Sequence, residues 1–379
     1  MDEIRILEGS DAIRVMPGMY IGGTDQEALH RAVLNLIGFA IIEASVKSDA
    51  RISVTLKPGN IVQIVDNGFG IPTHLDQWTK TPIVEIALTK INAGYGIGQA
   101  RPKREGTDGF NWLPLVVMQS LSERFEVEVK REGYKWKIVY SKGKRIEAFH
   151  QLEALNNPDE TGTSILFQPD YSIFQSVEID SFYLYRTLRE LSFLMSELTV
   201  VFTDLSTPVN SSQEFHFENG TADFVRTLNR NLITTHEPVI IRQKVAVNAK
   251  PNLTGMLDVD IAFQYTENQN FLVLNYVNGR AVPQGGVHID GFTDGLYNGF
   301  LEDIQILLCG LTVVISIWYA WPQFEGSFQN RLISPEVKDA IKALVFQVFD
   351  DLPPTMKDLI RGKHERNREH RDNRRFVNL

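Results

Sequence analysis

The chain has 379 residues, 43% hydrophobic and 22% charged, an ordinary soluble globular composition with room for two domains. A net charge of −9 excludes a protein that coats nucleic acid by general attraction. The single cysteine, Cys309, excludes an internal disulfide and points to a reducing compartment, here the cytoplasm.

The N-terminus is acidic and polar, so no signal peptide is expected. A helix is expected over roughly 26–46, with Ala32, Val33, Leu36, Ile37, Ala40 and Ile41 on one face. Strands follow over 52–56 and 61–65, joined by the turn Pro58-Gly59-Asn60. Helical stretches are expected around 84–90 and 115–121, with a glycine-rich basic loop over 94–109 between them. Strands over 125–130, 136–141 and 164–168 precede a helix carrying Leu184, Leu188 and Leu191, then a strand over 198–203. The polar run 207–213, with one proline and two serines, reads as a linker. Beyond it come a helix over 222–232, strands over 257–265 and 271–277, and a mostly helical segment over 288–308. The run 311–318 is apolar and β-branched. Its apolar surroundings are shorter than the roughly 20 residues of a membrane span, so it reads as a buried strand. An amphipathic helix over 335–349 leads to a tail from Arg361 with seven Lys/Arg against three Asp/Glu up to Arg375, which reads as a solvated helix or frayed end.

The stretch Ile61-Val62-Gln63-Ile64-Val65-Asp66-Asn67-Gly68-Phe69-Gly70-Ile71-Pro72 carries the chemistry. Asp66 falls in phase with Val62 and Ile64, so a carboxylate is expected at the end of an apolar face. A buried carboxylate needs hydrogen-bond donors. Gly68 and Gly70 let the chain turn sharply and a flat object approach closely. A planar heterocycle with an exocyclic amine suits such a receptor. The plain alternative is a turn in which Asp66 caps its own backbone.

The flanking residues decide between them. Leu7-Glu8-Gly9-Ser10-Asp11-Ala12-Ile13-Arg14-Val15-Met16-Pro17-Gly18-Met19-Tyr20-Ile21-Gly22 closely resembles the opening of the ATPase region of DNA gyrase B and topoisomerase IV. Gln284-Gly285-Gly286-Val287-His288-Ile289-Asp290-Gly291-Phe292 resembles the signature of the transducer domain in the same proteins. The resemblance is to the GHKL superfamily, gyrase B type, and covers nearly the whole chain. It implies an α+β fold: a Bergerat-fold α/β sandwich over 1–206, the linker 207–213, a ribosomal-S5-like transducer domain over 214–360 and the charged tail 361–379.

The resemblance also implies site roles. Asp66 would accept a hydrogen bond from the adenine amino group, with Gly68, Gly70 and the floor residue Pro72 around it. Thr163 would help hold Asp66, and Arg131 would stand at the pocket mouth. Without the resemblance these two read as a turn residue and a surface strand residue.

The catalytic positions depart from the family pattern. The family helix carries a glutamate base, then four residues on an asparagine for Mg²⁺; here those positions are Asn35 and Phe39, with Gly38 replacing an aspartate. An amide does not take a proton from water at neutral pH, and a phenyl ring offers no oxygen to Mg²⁺. Glu43 lies eight residues after Asn35, about 80° round the helix, a poor substitute base. The phosphate loop matches best at Gly106, Gly109 and Asn111, with Asn111 in place of the third glycine. The run Gly94-Tyr95-Gly96-Ile97-Gly98 with Arg101, Lys103 and Arg104 is an alternative anion loop, or simply a solvated one. The transducer lysine is replaced by Gln329, with Arg331 nearby as a substitute donor.

The expectation is a gyrase B-like pseudo-ATPase, a binding or regulatory module with at most weak ATP or ADP binding and no Mg²⁺. The alternatives are the ATPase subunit of a split type II topoisomerase-like system and a small-ligand binder without phosphates. The expected partner is a gyrase- or topoisomerase-related protein. DNA contact is expected only through that partner or a local basic patch, and no membrane contact is expected. From the chain's extent, no TOPRIM region is expected, and the short segment before Leu7 is expected not to wrap a neighbour in a nucleotide-driven dimer.

Overall fold

The structure is a computed structural model that describes residues 7–91, 114–175, 178–250, 253–301, 303–326 and 330–377. The chain divides into two compact units, the first ending at His216 and the second running from Phe217, with a short excursion at 193–196.

The first unit is built on an eight-stranded sheet in the order β5-β4-β3-β6-β2-β1-β7-β8. Its strands are β1 (Arg51–Lys57), β2 (Ile61–Asp66), β3 (Ser122–Arg131), β4 (Tyr134–Ser141), β5 (Lys144–Ala154), β6 (Gly162–Pro169), β7 (Thr199–Asp204) and β8 (Ser211–Phe215). Neighbours run antiparallel except β1 and β7. The register matters for the site. Val65 lies opposite Ser164 on β6, while Val129 and Lys130 of β3 lie opposite Thr163 and Gly162. The end of β2 therefore meets the start of β6 and the end of β3.

The helix Gln26–Ala44 packs on β1, β2 and β6. It starts where Asp25 accepts a hydrogen bond from the Ala28 amide at 2.8 Å, a side-chain N-cap. Leu29, Val33, Leu36, Ile37, Ala40 and Ile41 are buried along it, the helical stripe expected of a face laid on a sheet. Residues 211–213, expected in the linker, belong instead to β8, which pairs with β7. Its side chains are mostly exposed, so a polar sequence is tolerated at this edge. The strand β5, which no sequence pattern marks, forms the other edge and is largely exposed.

The second unit has a five-stranded sheet in the order β12-β11-β13-β10-β9. These are β9 (Val239–Lys250), β10 (Leu253–Tyr265), β11 (Leu272–Val277), β12 (Arg280–Ala281) and β13 (Leu311–Tyr319). The strand β13 is fully buried over most of its length, in line with its apolar sequence. The helices Val287–Phe300 and Pro335–Asp351 pack against each other and cover one face of the sheet. Gly291 and Gly295 allow that approach: a Cβ on either would collide with Lys338, Lys342 or Val345. The expected single helical segment over 288–308 is broken, because Leu301 turns left-handed at φ 51° before a second short helix, Ile304–Leu308.

The charged tail is not simply solvated. The helix Pro354–Val377 buries Ile360, Lys363, His364 and Asn367. Asn367 Nδ2 donates to the carbonyls of Ile306 and Cys309 at 3.2 and 2.9 Å, and Lys363 Nζ donates to the Asn268 carbonyl at 3.2 Å. Burial pulls the Lys363 ammonium below its usual range, against the attraction of Glu267. No helix among the described residues is long and apolar enough to cross a membrane.

Candidate functional site

The candidate site is the junction at the ends of β2, β6 and β3. On β2 the alternation buries Val62, Ile64 and Asp66 in turn, so the carboxylate closes an apolar wall and is only 5% exposed. Asp66 Oδ1 accepts from the Gly68 amide at 2.8 Å and from the Thr163 amide at 3.3 Å. These donors offset the cost of removing the charge from water. The Gly68 bond also gives Asp66 the self-capping turn weighed as the plain alternative. The bond from Thr163, 97 residues away, goes beyond a local cap.

Each loop around Asp66 is fixed by close backbone approach. A Cβ on Gly68 would overlap the Glu43 carbonyl at the end of the long helix. A Cβ on Gly162 would overlap the Asp66 carbonyl. Gly70 has φ 74° and faces the carbonyls of Lys130 and Gly162. Asn67 ties the turn to β1, accepting from Arg51 N at 2.9 Å and donating to the Asp49 carbonyl at 2.8 Å. Thr163 Oγ1 accepts from Ile71 N at 3.3 Å, and Pro72 follows, half-buried.

Arg131 joins the same junction. Its Nη1 donates to the carbonyls of Gly70 at 2.9 Å and Phe69 at 3.3 Å. Phe69 itself is 39% exposed. Lys47, just beyond the long helix, places Nζ 5.9 Å from the Phe69 ring centroid and donates to Thr161 Oγ1 at 2.8 Å. Sequence reasoning gives Lys47 no role. No pattern marks it, because it bridges two loops that meet only in the folded sheet.

Asn35 and Phe39 lie one turn apart on the helix Gln26–Ala44, both half-buried. Asn35 Nδ2 donates back to the Arg31 carbonyl at 2.7 Å. Glu43, one further turn on, is buried and meets Gly68 through its backbone. The structure thus brings together Asp66, Gly68, Gly70, Arg131 and Thr163, with Pro72 directly following. Arg331 lies in the second unit, where its Nε is 3.8 Å from a Glu325 carboxylate oxygen. Gly106, Gly109, Asn111, the alternative anion loop 94–104 and Gln329 lie outside the described residues. Among the described residues, no group of three His, Cys, Asp or Glu side chains is placed to hold a metal ion.

Comparison with known proteins gives the lineage. A family model for DNA gyrase B matches residues 220–374. The chain is 33% identical over 359 residues to the DNA gyrase B protein of Clostridium acetobutylicum, covering 90% of this chain and 54% of that protein. It is 31% identical over 379 residues to the DNA gyrase B protein of Haloferax volcanii, covering 94% of this chain and 57% of that one. The chain therefore spans about half the length of these curated relatives. Its structure superimposes on the 43K ATPase domain of Thermus thermophilus gyrase B, crystallised with an aminocoumarin. The TM-score is 0.82 at 27% identity, covering 99% of this chain and 98% of that one. The Bergerat-type junction of β2, β6 and β3, the transducer-like second unit and these likenesses agree, and the chain belongs to the gyrase B and topoisomerase family of GHKL proteins, at its ATPase region.

Proposed function

We propose that the chain is a gyrase B-like module that binds the adenine part of a nucleotide and does not hydrolyse ATP. The observation that carries this reading is a contrast within one site. The carboxylate receptor is complete, with Asp66 held by the amides of Gly68 and Thr163. One helix away, the base and metal positions hold Asn35, whose amide is bonded to Arg31, and Phe39. Asp66 would accept a hydrogen bond from the exocyclic amine. Gly68 and Gly70 would let the ring lie close to the backbone, Pro72 would underlie it, and Arg131 would hold the turn that frames it. Adenine fits these residues. A magnesium triphosphate does not, since Asn35 supplies no base and Phe39 no oxygen ligand for the Mg²⁺ that phosphoryl transfer to water requires.

Such a module would act by binding. Its partner would be a gyrase- or topoisomerase-related protein, as the relatives are themselves named as gyrase subunits. Purified protein is expected to show no Mg²⁺-dependent ATP turnover above a heat-treated control. Calorimetry is expected to show adenine-compound binding that Asp66→Asn weakens by about tenfold or more, the loss of a charged hydrogen-bond acceptor. Turnover that Asp66→Asn abolishes would establish the alternative, an ATPase subunit of a split topoisomerase-like system.

A further inference from the structure

The helix face nearest the Asp66 turn carries Asn35, Phe39 and Glu43 on successive turns. The Glu43 carbonyl touches Gly68, so Phe39 stands one turn, about 5 Å along the axis, from that contact. On the turn itself Phe69, between the two glycines, leaves 39% of its surface in water. Phe69 therefore lies exposed on the turn beside a buried carboxylate, and Phe39 is half-buried on the helix whose end meets that turn. Burying a phenyl ring is worth roughly 1.5–3 kcal/mol, so a ligand that covers these rings gains part of that.

The described polar groups beside them already hydrogen-bond within the protein. Lys47 Nζ donates to Thr161 and sits over the Phe69 ring. Arg131 Nη1 donates to the carbonyls of Phe69 and Gly70. The Asn35 amide donates to Arg31. A triphosphate leaving the Asp66 receptor along this helix would meet Phe39, which itself offers neither a cation nor an N–H donor in exchange for lost hydration. An uncharged aromatic ligand has no such loss.

We infer that the site selects a phosphate-free amino-heterocycle, of the adenosine class, over ATP, and that Phe39 and Phe69 are the selecting residues. This rests on the proposed adenine receptor at Asp66 and deepens it.

Calorimetry of the full chain with adenosine, AMP and ATP, each with and without Mg²⁺, tests the selection. Adenosine is expected to bind at least as tightly as ATP, and Mg²⁺ to improve neither. Phe39→Ala is expected to tighten ATP about tenfold more than adenosine, whereas Phe39→Leu, which keeps the apolar bulk, preserves the wild-type order. Should Phe39→Ala fail to fold by thermal melting, Phe69→Ser at the exposed ring provides the second measurement. It is expected to weaken adenosine several-fold and ATP by less. Wild-type protein that binds Mg-ATP tighter than adenosine overturns the selection and leaves the Asp66 receptor standing. So does a Phe39→Ala variant that folds without gaining ATP affinity. Failure of every adenine compound to bind, or binding indifferent to Asp66→Asn, overturns the receptor and the selection together.

Discussion

Gly162→Ala is expected to abolish ligand binding at Asp66 and to cost the first unit about 3 kcal/mol or more of stability. Two effects add. Gly162 has φ 151°, a backbone conformation that side-chain-bearing residues rarely adopt, and such strain costs about 1–3 kcal/mol. A Cβ there would also overlap the Asp66 carbonyl, which β6 approaches backbone to backbone. The overlap can be relieved only by moving β6 away from β2, and that takes the Thr163 amide off Asp66 Oδ1. Gly68→Ala separates the two effects. Its φ is ordinary, but its Cβ would overlap the Glu43 carbonyl and crowd Asp66 Oδ1, so the cost is one of overlap without backbone strain, roughly 1–3 kcal/mol. Binding should be lost in both variants, and stability should fall further in Gly162→Ala. Chemical denaturation with an adenosine titration measures both quantities. A Gly162→Ala protein with wild-type stability and binding would show that the β2–β6 junction is not the site.

The parts of this site that are legible in the sequence are those encoded by local period. Alternation along β2 places Asp66 with Val62 and Ile64, and the stripe from Leu29 to Ile41 places a helix on a sheet. The approach of Lys47 to Phe69 and Thr161 has no local period, because it spans 22 residues in one direction and 114 in the other. The edge strand β5 escapes sequence reading for a different reason: with most of its side chains in water, it has little hydrophobic alternation to detect. The tail misleads because its buried stripe is polar. Ile360, Lys363, His364 and Asn367 follow the helical spacing of a core face, yet three of the four look like surface residues until their hydrogen bonds and neighbours are known. Charge composition reports what a segment can leave in water, and here Asn367 Nδ2 and the Lys363 ammonium donate to backbone carbonyls instead.

Acidification from pH 7.5 to 5 is expected to destabilise the second unit, with His288 the largest single contributor. His288 is fully buried at the start of the helix Val287–Phe300, in the Gly285-Gly286 signature. Nε2 lies 2.9 Å from Asn275 Oδ1, and Nδ1 has no hydrogen-bond partner among the described residues. Burial pushes its pKa from 6.5 down to about 4. The unfolded chain therefore binds a proton below pH 6.5 that the folded chain refuses until about pH 4. Stability from this group is fully present above pH 6.5 and falls as pH drops through that window, by roughly 2 kcal/mol at pH 5 and about 3 kcal/mol below pH 4. His236 acts in the same direction. Its Nε2 accepts from Tyr265 N at 3.2 Å while Nδ1 donates to the Glu237 carbonyl at 2.6 Å, so the neutral ring is already fully used. Burial lowers its pKa too, against the pull of Glu237. The His288→Gln variant isolates the first contribution, because glutamine can still donate to Asn275 and does not titrate. It is expected to be less stable than wild type at pH 7.5 and to lose much less stability by pH 5, leaving the slope that His236 provides. Urea denaturation at half-unit pH steps gives both curves. Parallel curves for wild type and His288→Gln would mean that His288 is protonated inside the fold, with a carboxylate or ordered water at Nδ1 sustaining the charge.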